Sequence, residues 1–264
     1  MIRFDINTRE GKLRYRASMD RQMNVFERWS FRKLKRYFKD LYRKIARQMR
    51  ETGDLRYERI IENDRGLFII MMNMFHRTAV HYSEMFAEAI GKTRSKALVD
   101  VFWEFYRNFA KMYTANRIVG INNTTKKRIA RIIETGMENE LTTREISIQI
   151  NQVSEIESIH RAQRIAATEI HTMSNMTQSI MAKSESVIVE KEWLSAVDER
   201  VRAWHFTGGG VFSESGQPAR VPMESFFMVG GELLEYPGDP LGSGFNIVNC
   251  RCFTAFYTSR ETTF

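Results

Sequence analysis

Two cysteines, four prolines and no long apolar run set the first limits on this 264-residue chain. Cys250 and Cys252 are too few for a disulfide framework, and closing a ring between such near neighbours is strained. That thiol count fits synthesis in a reducing cytoplasm. The longest uninterrupted apolar stretch, Leu67 to Met72, is six residues and ends at Asn73. A membrane-spanning helix needs about 20 such residues, so no span is expected. Met1 to Glu10 holds no apolar signal core, and export by a leader is not expected. All four prolines lie beyond Gln217, which points to helices before that point and to loops and strands after it. No internal repeat or low-complexity segment is present.

What the chain does hold is ordinary for a folded protein, 43% hydrophobic and 27% charged, but the charge is unevenly placed. Residues 1–56 carry 17 Lys/Arg against 7 Asp/Glu, a balance of +10; the whole chain is +8, so the remainder sums to −2. A localised basic stripe is the electrostatic footprint of a polyanion partner, or else the solvated face of a helix. Over residues 24–50, Leu34, Phe38, Leu41, Ile45 and Met49 recur at helical spacing. Arg32, Lys33, Lys35, Arg36, Lys39, Arg43, Lys44 and Arg47 fill the other faces and are the candidate polyanion contacts, with Trp29, Tyr37 and Tyr42 among them. Further helices are expected near 56–90, 94–119 and 125–139, the last capped from Asn122 to Thr125. Two capping boxes, Thr142 to Glu145 and Ser154 to Glu157, are expected to open a short helix to Asn151 and a long one to Lys183.

Past Ser184 the character changes. Val187 to Trp193, Phe226 to Val229 and Cys252 to Tyr257 are candidate strands, separated by Gly- and Pro-rich turns such as Gly208-Gly209-Gly210 and Pro237-Gly238. The expected fold is therefore α+β: a long, mostly helical N-terminal and central part followed by a small loop-rich C-terminal module. The expected divisions are a helical region 1–121, a central helical region 122–184 and the module 185–264.

The ordered stretches Ala162 to Asn175, Lys191-Glu192-Trp193, Asp198 to His205, Tyr236-Pro237-Gly238-Asp239 and Asn249-Cys250-Arg251-Cys252 carry a resemblance. Together they resemble the bacteriophage head-morphogenesis family of minor capsid proteins, the phage Mu F-like family. The resemblance spans roughly residues 124–258, and it is the order and spacing that are specific, since a Cys-x-Cys or Pro-Gly-Asp alone is common. It implies a low-copy virion protein inside the head, near the portal protein, in contact with packaged DNA and with major capsid or scaffolding protein. It implies a role in head assembly or DNA delivery rather than catalysis.

Three chemistries are open to the module's polar residues. Cys250, Cys252 and His205, with Asp198, have the donor types of a structural zinc site; alternatively the thiols pack as small apolar groups. Asp198, Arg200, Arg202 and Arg251 suit an ion-pair network or an anion site. A metal-dependent hydrolase or nuclease would use His205 as base, Asp198 as its orienting group or as a metal ligand, and Arg251 on an oxyanion, with Glu169 and His171 on the preceding helix. No serine elbow, His-Glu-x-x-His or phosphate loop accompanies them, and Gly208-Gly209-Gly210 is followed by Val211 and Phe212 rather than by Lys and Ser/Thr. A plain, sequence-independent DNA-binding protein is the remaining alternative, since no base-reading motif is present.

Overall fold

The computed structural model describes residues 6–90, 96–196, 198–206, 212–213 and 219–258. Its elements, in order, are helices α1 (Arg9–Thr52), α2 (Glu58–Glu62), α3 (Gly66–Ala89), α4 (Lys96–Glu138) and α5 (Thr143–Lys183), then strand β1 (Ile188–Leu194) and a single 3-10 turn, Ala203–His205. Strands β2 (Phe212–Ser213), β3 (Arg220–Pro222), β4 (Phe227–Val229) and β5 (Glu232–Leu234), helix α6 (Gly244–Ile247) and β6 (Phe253–Thr258) follow. The chain is thus helical up to Lys183 and α+β beyond it. Gly208-Gly209-Gly210, expected as a turn, lies outside the described residues.

The chain forms two compact units, one of residues 1–26, 75–107 and 167–264, the other of residues 27–74 and 108–166. The unit holding both sheets therefore also takes in the start of α1 and the second half of α5. In the all-helical unit, the predicted apolar stripe of α1 is buried: Leu34, Phe38 and Ile45 are fully enclosed, and Leu41 and Met49 nearly so. Ile129 and Ile133 of α4 and Ile146 and Ile150 of α5 bury their own stripes in the same unit. Arg161 enters this core, donating to the Ile121 carbonyl at 3.0 Å and the Thr125 hydroxyl at 2.8 Å while its guanidinium lies over Phe38. Burial pulls its pKa down to about 10.

Two expected helix starts are instead helix interiors. Thr124 and Thr125 do not cap a new helix, because their hydroxyls donate back to the carbonyls of Gly120 and Ile121, and α4 runs on unbroken. Ser154 likewise bonds back to the Asn151 carbonyl at 2.6 Å within one continuous α5. Ser and Thr have this second option inside a helix, so their presence alone does not mark a start. Thr142 is a true cap: its backbone N–H donates to Glu145 Oε2 at 2.8 Å and its hydroxyl accepts the Glu145 N–H. The expected 56–90 helix is split at Asn63 and Asp64, where Asp64 Oδ1 accepts the N–H of Gly66 and starts α3.

In the sheet-bearing unit, β1 is the middle strand of an antiparallel sheet in the order β3-β1-β6, and β2-β4-β5 form a second antiparallel sheet. Lys191 faces Val221 on one side and Phe256 on the other, and Trp193 faces Thr254. Trp193 packs with Val221, Phe227, Val229, Leu234, Cys250 and Cys252. Leu194 turns the other way, onto Ile6, Ala255 and Tyr257, with Tyr15 of α1 against them. A strand covered on both faces reads as a nearly continuous apolar run rather than as a strict alternation, which is the pattern of β6.

The first turns of α1 are tied to this sheet by polar contacts. Lys12 pairs with Glu192 at 2.8 Å, Arg16 donates to the carbonyls of Ser195 and Arg251, and the Tyr15 hydroxyl donates to the Thr254 carbonyl. No helix among the described residues is long and apolar enough to cross a membrane.

Candidate metal centre

His205 ends the 3-10 turn that follows β1, while Cys250 and Cys252 sit between α6 and β6. Forty-five residues of sequence separate His205 from Cys250, yet His205 Nδ1 lies 3.6 Å from the Sγ of each cysteine. The three donor atoms lie within 4.8 Å of one another and all three residues are buried. Trp193 walls the cluster on one side, its ring 5.3 Å from the His205 ring in an edge-on arrangement.

The local structure fixes which atom His205 offers. Asn246, fully buried in α6, places its Nδ2 at 3.0 Å from the Val229 carbonyl and 2.8 Å from Glu232 Oε2, both acceptors only. Its Oδ1 must therefore be the atom facing the rings, and it accepts the Trp204 indole N–H at 2.8 Å. The same oxygen lies 3.2 Å from His205 Nε2, so that nitrogen carries the proton. In the neutral ring Nδ1 is then a bare lone pair, and it points at the two sulfurs.

Backbone amides face both sulfurs. The Cys252 N–H lies against the Cys250 sulfur and the Ala196 N–H against the Cys252 sulfur, each favouring a thiolate. Burial works to raise the Cys252 thiol, but hydrogen bonds from Cys250 and from the Ala196 N–H, together with the adjoining His205, outweigh it and bring it well below an ordinary thiol. Cys250 moves the opposite way, pushed up by its hydrogen bond to Cys252 and by burial.

Behind the cluster stands α5. Asn175 donates to the Cys252 carbonyl at 3.2 Å and accepts the Thr254 N–H. His171 packs on Phe253, and burial brings its pKa down to about 3, so it is neutral there. Thr168 Oγ1 accepts the N–H of Asn249, which has the left-handed φ of 55° that turns the chain into Cys250. The Thr172 hydroxyl donates to the Gly238 carbonyl at 3.0 Å. Gly238 has φ +81°, and a Cβ there would meet Thr172 Oγ1 at 3.1 Å, which accounts for a glycine in the Pro-Gly-Asp turn. Asp239 then closes that turn by accepting the N–H groups of Glu235 and Leu241.

Asp198 does not join the metal-type cluster. Its carboxylate takes both guanidinium nitrogens of Arg251, with Arg251 Nη2 at 2.6 Å, and accepts the Arg200 N–H at 2.9 Å. Those contacts lower its pKa to about 2, the Arg251 hydrogen bonds first among them. Both side chains are about one-third exposed, so the pair sits at the rim while the Cys/His cluster sits inside. Arg202 turns inward to the Val248 carbonyl at 2.6 Å, and Arg200 meets Asp198 through its backbone. The four residues expected as one network are thus a single bidentate ion pair with two arginines beside it. His205 and Asp198 are not hydrogen-bonded to each other, so the base-and-orienter form of the hydrolase reading is not assembled.

In the all-helical unit, Arg32, Lys33, Arg36, Arg43, Lys44 and Arg47 are exposed on α1. Lys35 and Lys39 are half-buried instead, and both pair with Glu155 of α5. Helical geometry puts Arg32, Arg36, Arg43 and Arg47 on one ridge about 22 Å long. Comparison with family models, with curated proteins and with solved structures finds no match to this chain in any of the three.

Proposed function

We propose that this chain is a minor head protein of a bacteriophage virion, present in few copies beside the portal protein. The observation that carries this reading is the interlocking of the five sequence stretches that resemble the head-morphogenesis family. Trp193 of the second packs on His205 of the third; Asp198 of the third pairs with Arg251 of the fifth. Thr172 of the first holds Gly238 of the fourth, and Thr168 and Asn175 of the first hold Asn249 and Cys252 of the fifth. The contacting residues of the five stretches, from Thr168 to Cys252, thus all belong to one compact unit.

The exposed basic ridge of α1 supports the second half of the reading, contact with packaged DNA. Six exposed cations on one helix favour a phosphate surface, which needs no base code. An acidic face of the portal, of the major capsid protein or of a scaffolding protein would offer the same sign of charge. Metal-dependent hydrolysis has less support, because Asp198 is committed to Arg251 and His205 to Asn246 and two sulfurs.

Co-expression of the full chain with the portal protein of the same genome tests the proposal. The expected result is co-elution on size exclusion at physiological salt and recovery of the chain in the head fraction of an infected lysate. Separate elution together with absence from the head fraction overturns it.

A further inference from the structure

We propose that Cys250, Cys252 and His205 bind one zinc ion through both thiolates and Nδ1, stapling the Asn249–Cys252 turn to the 3-10 turn at Ala203–His205. This goes beyond the virion assignment and stands or falls separately from it.

Zn–S bonds of about 2.3 Å and Zn–N bonds of about 2.0–2.1 Å at a tetrahedral angle set S···N separations of about 3.5–3.6 Å. Both observed separations are 3.6 Å. The orientation of His205 agrees with that geometry. Metal-bound histidines usually donate their other ring N–H to a fixed acceptor, and Asn246 is such an acceptor, itself locked by Val229, Glu232 and Trp204.

Charge selects the metal. A thiolate buried without a cation is costly. Two thiolates and a neutral imidazole bring a charge of −2, which a divalent ion cancels and a monovalent one does not. Sulfur and imidazole donors suit zinc among divalent ions, whereas hard cations such as magnesium or calcium need oxygen ligands. No fourth Cys, His or carboxylate joins the set among the described residues. The remaining tetrahedral position goes to water.

The topology gives the ion a task. His205 and Cys250 flank the Gly- and Pro-rich stretch that contains β2 to β5, whose two small sheets offer a modest core. Closing a stretch of that length removes entropy from the unfolded chain, and metal binding at such a site is coupled to folding.

The test uses the full chain, produced in zinc- and copper-supplemented medium with a cleavable tag free of histidine and cysteine. Elemental analysis after gel filtration is expected to give about one zinc per chain, and X-ray absorption a shell of two sulfurs and two N/O scatterers. Chelation is expected to lower Tm, and added zinc to restore it. Cys252→Ser is expected to lose the metal, while Arg220→Ala, which removes a surface pair with Glu190, keeps it. Should the cysteine variant fail to fold, the wild-type stoichiometry and scatterer count decide alone. A folded wild-type protein that stays metal-free after zinc addition and dialysis overturns the proposal, as does copper as the bound ion or a sulfur-free first shell.

Discussion

Lys191 is almost fully buried in the middle of β1, an expensive place for an ammonium group. Its Nζ donates to the Glu235 carbonyl at 2.9 Å and lies 5.2 Å from the centre of the Phe227 ring. Burial pulls its pKa down to about 8, helped by Lys183 and opposed by Glu235, Glu224 and Asp239. A lysine in the unfolded chain titrates near 10.4. Between about pH 8 and 10.4 the unfolded state therefore holds more protons than the folded one, and stability rises with pH through that window. Below pH 8 both states are protonated and the whole penalty is present, at most about 3 kcal/mol at about 1.4 kcal/mol per pKa unit. Replacing Lys191 with Met keeps the side-chain length, removes the charge and gives up a charged hydrogen bond worth about 1.5–3 kcal/mol. Lys191→Met is thus expected to be neutral to about 1.5 kcal/mol stabilising at pH 7, and to lose that advantage by pH 10. Urea unfolding at the two pH values, followed by the fluorescence of buried Trp193, measures both. Wild-type and variant stabilities that run parallel from pH 7 to pH 10 refute the reasoning.

Asn246→Leu leaves the His205 and Trp204 ring N–H groups and the Val229 carbonyl without their partner; a loss of about 3–5 kcal/mol is expected in thermal or urea unfolding, and a loss under about 1 kcal/mol contradicts it. Gly238→Ala forces a side chain into a left-handed backbone and against Thr172, so destabilisation of about 2 kcal/mol is expected, and Thr172→Ala in the same chain should relieve part of it when the double variant is measured. If the ridge on α1 meets phosphate, changing Arg32, Arg36, Arg43 and Arg47 together to Gln is expected to flatten the log–log salt dependence of DNA binding by about 0.9 for each phosphate released, whereas Lys35→Gln, at a residue paired with Glu155, changes it little. Filter binding across a salt series reads this directly, and an unchanged slope in the fourfold variant removes α1 as the phosphate surface.

Features set by local chemistry are readable from the residues. The Thr142–Glu145 box, the buried stripe from Leu34 to Met49 and the change to short strands after Ser184 all rest on patterns confined to a few turns. Thr125 and Ser154 mislead for the same reason in reverse: their side chains have two local options, and packing of long helices with Arg161 between them selects the back-bonded one. The donor types of the metal-type cluster are visible as Cys250, Cys252 and His205. Asn246, the residue that orients them, carries no spacing signal, because its partners lie 14, 17, 41 and 42 residues away. Asp198 has the character of a ligand by type and by proximity in sequence, but its long-range pairing with Arg251 at the rim takes it elsewhere. Nor does helical periodicity reveal that the first turns of α1 belong with the sheets; Tyr15 and Arg16 make those contacts across more than 160 residues. That connection is why substitution, rather than removal of residues 1–56, is the sound way to test the basic segment.

Quantitative mass spectrometry of purified, nuclease-treated virions tests the virion assignment. Peptides of this chain are expected at a copy number comparable to that of the portal and far below that of the major capsid protein. Virions that lack it, from cells in which the chain is abundant, rule that assignment out.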